Sequence, residues 1–482
     1  MLKDYIKSQI LANFGLNPTS QQSEVVNKLT DFLLESNLGT RPLFILRGYA
    51  GTGKTSLVSA VVKTLATINK SCVLMAPTGR AAKVFSHYAG LPAYTIHKRI
   101  YKYDMSGYAR YKFTLDINKL RDTLFIVDEA SMLDGDTQIL EDLVKYVFMG
   151  VRSKLILLGD SAQLPPVGSL ESPALNVDVM RSFGLDVTDY TLTEVVRQEN
   201  ESGILTNATM LRNLIDETSK FCYAAAENQL PPLQFSKDFR KISGTSILER
   251  IETSYDKCGV EETAIVCRSN KRANLYNRAI RSQILYYEDE LEPGEIIMIA
   301  KNNYFWIKAP QSSQDDAVDS AEAETTPSKL TTPFLANGDI AIVRSVCNER
   351  ELYGFRFADC VITLPDYDDM ELTVTVILDA LNADAPSLTD EQGESLFNNV
   401  MEDYMHITNK KDRIEALRND PYYNALQVKY AYAITCYKAQ GGQWKRVFID
   451  QGYITPDMIT PDYYRWLYTA ITRATKRVYM VN

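Results

Sequence analysis

Short apolar runs recur through the first two hundred residues, and each is followed by a polar turn and a stretch of helical periodicity. Residues 42–46, 71–76, 124–127 and 155–158 are the clearest of these runs, and each has the length of a buried strand. Buried strands that alternate with helices are typical of α/β domains. The pattern therefore predicts an α/β lobe in this part of the chain.

The later part of the chain returns to this pattern after an interruption of different character. Residues 263–268 form another apolar run, which is followed by a basic helix start. Residues 293–300 and 337–344 instead read as short strands next to turn signals, and these favour a small β-barrel. The stretch at about 311–329 is acidic and rich in Ser, Ala and Thr, which is typical of a flexible loop.

The sequence thus predicts an α/β fold with two lobes, each of which carries an insertion. The lobe boundaries are drawn where the runs of buried strands stop and resume. The expected organisation is a first lobe at residues 1–189 with a hairpin insertion at about 98–118, a second lobe at 190–290 plus 427–482, and an inserted β domain at 291–426.

Residues Gly48–Thr55 read G-Y-A-G-T-G-K-T, which fits the phosphate-loop pattern G-x-x-x-x-G-K-[ST] in full. Glycines let backbone N–H groups turn inward toward phosphates, and the N-terminus of the following helix adds partial positive charge. Lys54 supplies a full charge for the β- and γ-phosphates, and Thr55 offers a hydroxyl to Mg²⁺. The alternative is a glycine turn that matches by chance, which the flanking strand and helix disfavour. The motif therefore predicts ATP and Mg²⁺ as cofactors.

Polar side chains also follow three further strands. Asp128 and Glu129 end an apolar strand, and beside a phosphate loop we expect Asp128 to hold Mg²⁺ and Glu129 to polarise the attacking water. Gln163 lies after the next strand, where it is expected to sense the γ-phosphate or its water. Arg197 follows a later strand end, where an arginine can stabilise the transition state.

The segment Thr19–Gln22 has two interpretations. Thr-x-x-Gln is typical of a helix N-cap, here for a helix from about residue 21 to residue 34. Gln22 also carries both a donor and an acceptor, with which it could read adenine. The local pattern favours the cap, and the sequence leaves the adenine contact open.

Candidate phosphate-binding residues follow the second strand. Pro77 and Thr78 form a strand-to-helix turn, where Thr78 with Lys83 suits a nucleic-acid backbone phosphate. Thr95 and His97 come at another expected loop, although a lone histidine is more often structural.

Residues 100–116 alternate aromatic and basic side chains around a turn, which is a hairpin signal. Aromatic rings such as Tyr108, interleaved with lysine and arginine, are what a base-stacking surface needs. A small hairpin that packs on its neighbours is the alternative, and the residues alone favour neither.

Overall charge and cysteine content constrain the partners and the compartment. The net charge is −9, but no Lys or Arg lies between residues 357 and 409, so acidity is local and a basic groove elsewhere is compatible with it. The seven cysteines include no C-x-x-C pair, which indicates a reducing, cytoplasmic setting. No run of about 18 apolar residues predicts a membrane span.

The ordered set of motifs resembles superfamily 1 helicases, specifically the RecD-like branch that includes the phage Dda type. The resemblance covers nearly the whole chain. The matching segments are Gly48–Thr55, Ala76–Lys83, Thr95–His97, Asp128–Ser131, Gly159–Gly168, Leu192–Gln198, Ala433–Gly441 and Leu467–Arg473.

The resemblance implies two RecA-like lobes, a lobe-1 hairpin and an SH3-like barrel that contacts the hairpin in the Dda type. It implies that Arg473 is a second arginine finger, and it identifies Lys438 with a motif that couples DNA to ATP. The family usually has His where this chain has Tyr437. The implied nucleotide contacts are Gln22, Gly48, Ala50, Gly51, Thr52, Gly53, Lys54, Thr55, Ser56 and Gly441. The implied DNA contacts are Pro77, Thr78, Lys83, Thr95, His97, Tyr108, Ser269, Asn270, Lys271, Thr435, Tyr437 and Lys438.

The function implied is that of a monomeric, ATP-dependent DNA helicase that moves 5′→3′ on single-stranded DNA and acts at single-strand/duplex junctions. Replication or repair proteins are the further partners that the resemblance implies. A helicase of the Pif family is one alternative. The other is a DNA-stimulated ATPase that remodels protein–DNA complexes with little unwinding.

If the hairpin splits duplex DNA, replacing Tyr108 by Ala will reduce unwinding more than ATP turnover, because only unwinding needs the stacking ring. Both rates are measured on the same enzyme preparation with a forked DNA. Equal loss of the two rates, or loss of neither, would contradict the wedge role.

Overall fold

The computed structural model describes residues 2–35, 39–104, 112–133, 138–196, 202–220, 230–307, 335–367 and 369–481. Backbone contacts divide the chain into two units. The first contains Met1–Ile96, Ile117–Glu288 and Tyr430–Asn482, and the second contains His97–Asp116 and Asp289–Lys429. Among the described residues, no helix has both the length and the hydropathy that crossing a bilayer requires.

The helices are distributed over both units. In chain order they are α1 (Leu2–Phe14), α2 (Ser20–Leu34), α3 (Lys54–Thr67), α4 (Gly79–Ala89), α5 (Ile96–Ile100), α6 (Ile139–Met149), α7 (Val177–Ser182), α8 (Gly203–Lys220), α9 (Ile247–Cys258), α10 (Asn270–Gln283), α11 (Asp390–Asp403), α12 (Lys410–Arg418), α13 (Cys436–Ala439) and α14 (Pro461–Ile471).

The strands form two open sheets, a closed barrel and a hairpin. In chain order they are β1 (Pro42–Gly48), β2 (Cys72–Ala76), β3 (Ala93–Thr95), β4 (Tyr101–Asp104), β5 (Lys112–Leu115), β6 (Leu124–Val127), β7 (Lys154–Gly159), β8 (Asp186–Leu192), β9 (Phe239–Ile242), β10 (Thr263–Cys267), β11 (Ile296–Ile299), β12 (Ile340–Leu352), β13 (Phe355–Leu364), β14 (Met370–Ile377), β15 (Leu426–Tyr430), β16 (Ala433–Thr435), β17 (Trp444–Asp450) and β18 (Ala474–Val481).

The first unit contains both open sheets, and every strand pair in them is parallel. The first sheet has the order β3-β2-β6-β7-β1-β8, and the second has the order β16-β10-β17-β18-β9. Buried apolar strands form parallel sheets because helices cover their faces. The carboxyl ends of the strands in each sheet share one edge, which is where ligands bind in such folds.

The second unit is built on a closed barrel of β11 to β15. Helices α11 and α12 pack against it through Leu396, Val400 and Leu417, which share an apolar cluster with Phe357 and Ile377. In the same unit β4 and β5 pair antiparallel, and the Lys98 ammonium lies 5.6 Å from the centre of the Tyr367 ring. Lys98 therefore joins the base of the hairpin to the barrel side of this unit.

The structure confirms the predicted α/β class with two lobes, but two strands run past the predicted boundaries. Strand β15 of the barrel continues to Tyr430, whereas the inserted domain was expected to end at residue 426. The first lobe was expected to end at residue 189, whereas β8 continues to Leu192 and pairs with β1 along its whole length. The prediction therefore placed Tyr190, Thr191 and Leu192 in the second lobe. The polar residues of β8 hide its strand character in the sequence. The SH3-like nature of the barrel stays a prediction. The loop expected at 311–329 and the tip of the hairpin lie outside the described residues.

A buried lysine ties helix α2 to the first sheet. Lys154 is 8% exposed, and its ammonium donates to the carbonyl oxygens of Phe32, Leu33 (3.3 Å) and Glu35 (2.7 Å) at the end of the helix. These terminal carbonyls have no partner within the helix, and a cation there also meets the negative end of the helix dipole. Burial lowers the pKa of Lys154.

Replacing Lys154 by Met should lower the free energy of unfolding by about 2 kcal/mol, because it leaves buried carbonyl groups without a donor. Urea denaturation followed by circular dichroism measures the change. The matched control is Lys145→Met, since Lys145 is exposed and its ammonium pairs with Glu141 one turn away in α6. Equal effects of the two substitutions would contradict the role of Lys154.

Candidate functional site

The phosphate loop connects β1 to α3 and leaves no room for side chains at its glycines. A Cβ at Gly53 would lie 2.7 Å from the Gln22 amide nitrogen, and one at Gly48 would lie 2.9 Å from the Lys54 side chain. Gly53 also has a φ of 83°, which favours glycine. Space therefore favours glycine at both positions, and at Gly53 the backbone conformation requires it as well.

Lys54 begins α3, and its ammonium donates to the carbonyl oxygens of Gly48 and Tyr49. Thr52 is buried, and its hydroxyl donates to the Tyr49 carbonyl at 2.8 Å. Thr55 follows Lys54 in the first turn of the helix. The charge and the hydroxyl expected at the phosphates therefore lie together at the helix N-terminus. Ser56 is the exposed residue next to them.

Asp128 and Glu129 follow β6, two strands away from β1 in the same sheet. Asp128 accepts a hydrogen bond from the Glu129 amide at 2.8 Å. Glu129 has a φ of 51°, a left-handed conformation that costs free energy and is often found at functional sites. Burial, and then the charge of Glu129, raises the pKa of Asp128 to about 7.

The oxygen donors at this edge fit a divalent metal ion. Mg²⁺ prefers carboxylate and hydroxyl oxygens, which Asp128 and Thr55 offer. A carboxyl group whose pKa is raised by burial and by a like charge is stabilised by a cation, because the cation offsets both causes. The chemistry of the two residues is therefore compatible with the predicted metal site.

Arg473 lies between α14 and β18 of the second lobe, and its side chain reaches the first lobe. It is 4% exposed and donates to the carbonyl oxygens of Thr469 (3.1 Å) and Gly442 (3.3 Å). Its guanidinium nitrogen Nη1 lies 3.8 Å from the Glu129 carboxylate. One cation of the second sheet thus faces the candidate catalytic carboxylate of the first.

Gln22 has the contacts of a helix cap. Its side-chain oxygen accepts from the Thr19 amide at 3.0 Å, and Thr19 caps α2 in return. Its side-chain nitrogen donates to the Thr52 carbonyl at 3.0 Å, and the residue is 1% exposed. The cap interpretation is confirmed, and the bond to Thr52 additionally ties α2 to the phosphate loop. The adenine contact stays a prediction.

The candidate DNA residues of the first lobe lie at the carboxyl ends of β2 and β3, which are neighbouring strands. Pro77 and Thr78 follow β2, and the Thr78 hydroxyl accepts from the Ala81 amide at 3.2 Å as the cap of α4. Lys83 is exposed on α4, and Thr95 ends β3. His97 belongs to the second unit, and burial lowers its pKa, so the ring is neutral near pH 7.

The candidates of the second lobe also share one edge. Residues Ser269, Asn270 and Lys271 follow β10, where the Ser269 hydroxyl caps α10. Thr435 ends β16 and pairs in register with Cys267 of β10. The adjoining Tyr437 is 40% exposed, and burial lowers the pKa of Lys438 to about 8.

The two candidate DNA edges touch each other. A Cβ at Gly441 would lie 2.8 Å from Ala81 Cβ and 3.2 Å from Thr78 Oγ1, so its nearest neighbours belong to the DNA edge and not to the phosphate loop. The Arg80 guanidinium lies 3.9 Å from the centre of the Trp444 ring. The edges thus form one continuous surface across the two sheets.

Two predicted residues, Arg197 and Tyr108, lie outside the described residues. The segment just before Arg197 packs on the phosphate loop, since the Val196 amide donates to the Gly51 carbonyl at 3.1 Å. Sequence reasoning missed the inter-sheet roles of Tyr468 and Thr469. Both lie inside the last motif, which was the available signal, but nothing in the spacing indicated their partners.

Two protein-family models match parts of this chain. Residues 20–225 match a model described as an AAA domain, and residues 430–481 match a UvrD-like helicase C-terminal domain. Between them the two matched regions contain the phosphate loop, the Asp128–Glu129 pair and Arg473.

Several curated proteins are similar in sequence. An ATP-dependent RecD2 DNA helicase of Deinococcus radiodurans is 37% identical over 128 residues, 26% of this chain and 16% of that protein. The ATP-dependent DNA helicase dda of Enterobacteria phage T4 is 27% identical over 263 residues, 53% of this chain and 55% of that protein. An uncharacterised protein of Acanthamoeba polyphaga mimivirus is 22% identical over 95% of this chain and 98% of its own length. The chain thus spans little more than half of one DNA helicase and less of the other.

Among solved structures, a Pif1 helicase from Bacteroides in complex with ADP-AlF3 and single-stranded DNA aligns over 96% of this chain and 92% of that one. The sequence identity is 16% and the TM-score is 0.45. A likeness this distant carries no conclusion by itself.

If Arg473 is an arginine finger, Arg473→Ala should reduce ATP turnover by on the order of 10³-fold and leave nucleotide binding intact, because the lost cation would have stabilised transition-state charge. Turnover is measured by phosphate release, and binding by a fluorescent nucleotide. Arg446→Ala is the control, since the Arg446 side chain bonds Ser254 within the second lobe. Turnover within threefold of that control would remove Arg473 from this role.

Proposed function

Because the chain belongs to the superfamily 1 helicases, in the branch that contains the RecD-like, Dda and Pif1 enzymes, we propose that it is an ATP-dependent DNA helicase that moves 5′→3′ on single-stranded DNA. The observation that carries the proposal is the 3.8 Å approach of Arg473 in the second sheet to Glu129 in the first. Hydrolysis that depends on groups from both lobes can be coupled to their relative movement.

In the proposed reaction the chain's own residues supply positioning and charge. Lys54 neutralises the β- and γ-phosphates, and the backbone N–H groups of the phosphate loop cradle them. Glu129 orients the attacking water and accepts its proton, while Arg473 stabilises the charge on the transferring phosphoryl group. Thr55 and Asp128 would hold Mg²⁺, which supplies further charge neutralisation when bound.

The proposed DNA path follows the shared edges of the two sheets. The N-termini of α4 and α10 carry capping hydroxyls and the partial positive charge of a helix N-terminus, which suit backbone phosphates. Tyr437 offers an exposed ring for base stacking. Gly441 approaches α4 so closely that a Cβ there would lie 3.2 Å from Thr78 Oγ1, which supports a single path across both lobes. In that path, closing of the lobes changes the spacing of the phosphate contacts.

A DNA-stimulated ATPase that remodels protein–DNA complexes is the second candidate. It would use the same ATP site and the same DNA edges, and it would differ only in lacking duplex separation. The contact between Lys98 and Tyr367 favours the helicase, because a hairpin that separates strands needs a rigid support.

The test is ATP-dependent unwinding of two partial duplexes, one with a 5′ single-stranded tail and one with a 3′ tail. The expected result is unwinding from the 5′ tail alone. Lys54→Ala should abolish unwinding and turnover but keep single-strand binding, because Lys54 acts on phosphates of the nucleotide.

Other outcomes separate the alternatives. Unwinding from the 3′ tail alone would keep the motor and reverse its polarity. DNA-stimulated turnover without unwinding from either tail would support the remodelling ATPase instead.

A further inference from the structure

The loop that carries Gln163 is held by side chains from the opposite lobe. Residues Asp160–Leu164 follow β7 of the first sheet, and the side chains that bond them belong to α14 and to the residue that follows α13. These bonds are Tyr468 hydroxyl to Asp160 carboxylate (2.7 Å), Leu164 amide to Thr469 hydroxyl (2.9 Å), Gln440 amide to Leu164 carbonyl (2.8 Å) and Arg465 guanidinium to Ser161 carbonyl.

Tyr468 links this loop to the phosphate loop through one buried hydroxyl. The residue is 1% exposed, and its hydroxyl donates to Asp160 while accepting from the Ala50 amide at 2.9 Å. The other carboxylate oxygen of Asp160 accepts from the Ala162 amide at 3.0 Å, which shapes the turn that leads to Gln163. Burial, and then the charge of Asp160, raises the pKa of Tyr468, so the hydroxyl keeps its proton as a donor.

Thr469 bonds the residue that follows Gln163. It is fully buried, and its hydroxyl accepts from the Leu164 amide while donating to the Arg465 carbonyl at 2.7 Å. The side-chain oxygen of Gln163 is itself buried and has no hydrogen-bond partner among the described residues. No bond of this oxygen fixes its direction, so the backbone on either side must do so.

Packing alone does not fix the loop either. A cavity of about 320 Å³ borders it and is lined by Ser131, Asp160, Gln163 and Arg465, among others. A loop beside an open space can shift without steric cost, whereas a loop in a close-packed core cannot. The hydrogen bonds from α14 therefore decide where Gln163 lies.

We propose that Tyr468 and Thr469 are positioning residues, which set the Asp160–Leu164 loop, and through it the Gln163 amide, for ATP hydrolysis when the two sheets meet. The proposal rests on the proposed ATPase function. These bonds join the two lobes, so they can form when the lobes are in contact. The position of Gln163 then depends on whether the lobes are in contact. Gln440, next to the DNA-edge residue Gly441, brings the state of the DNA surface to the same loop.

The test compares single-atom changes in an otherwise complete chain. Tyr468→Phe and Thr469→Val remove the two hydroxyls, and Thr469→Ser keeps one while removing a methyl group. Tyr255→Phe and Thr30→Val are the controls, because the buried Tyr255 hydroxyl has no hydrogen-bond partner among the described residues and the Thr30 hydroxyl donates to Val26 within its own helix. ATP turnover with saturating single-stranded DNA gives kcat and KM for each.

Thr469→Val should lower kcat about tenfold and change KM for ATP less than about threefold, because the lost bond positions the loop and does not touch the phosphate loop. Tyr468→Phe should lower kcat by at least about as much, since it removes the donor to one Asp160 carboxylate oxygen and the acceptor of the Ala50 amide. Thr469→Ser should keep turnover within about threefold of the unaltered chain. Turnover of both control variants should equal that of the unaltered chain.

The outcomes are distinguishable. Turnover of Thr469→Val within twofold of Thr30→Val overturns the inference, and so does failure of Thr469→Ser to recover activity. If Tyr468→Phe does not fold, the Thr469 pair decides. An unaltered chain that hydrolyses no ATP with DNA present would overturn the proposed function itself, whatever the variants do.

Discussion

Polar groups buried between the two parallel sheets constrain this molecule, because each buried donor there needs an acceptor. Tyr468, Thr469, Gln440 and Arg473 all meet this requirement through groups of the first lobe or of their own segment. A hydrogen bond contributes little net free energy when water can replace the partner, but leaving a buried group unpaired is costly. Such an interface stabilises the closed arrangement of the lobes but still allows them to separate. An apolar interface of the same size would hold them together more permanently.

The lobes and the nucleotide site could be predicted because local patterns in the sequence mark both. Buried strands carry continuous apolar runs, and the phosphate loop fixes its residues within eight positions. The inter-sheet network was missed because its partners lie far apart in the chain: 308 residues separate Tyr468 from Asp160, and 418 separate it from Ala50. Helices α11 and α12 were missed because both consist mainly of charged and polar residues, so few apolar residues mark a buried face.

Two side chains show how structural and chemical roles coincide at one place. The side-chain oxygen of Gln22 completes a helix cap, and its side-chain nitrogen bonds the phosphate loop. The sequence offered a cap and an adenine contact for this residue, and the contacts seen in the structure are those of the cap and of the phosphate loop. Glu129 lies in a left-handed conformation directly after a buried strand, where the surrounding bonds must offset the backbone cost. Propensity alone would predict neither arrangement.

The second sheet is assembled from distant parts of the chain, since β9 and β10 precede the barrel and β16 to β18 follow it. Its centre, β17 and β18, belongs to the last 39 residues, whereas the first sheet is complete by Leu192. During synthesis the first lobe can therefore close its core while the second still lacks its middle strands. A nascent chain that stops before β18 loses the strand that joins β9 to the rest, so truncation there splits the sheet from within.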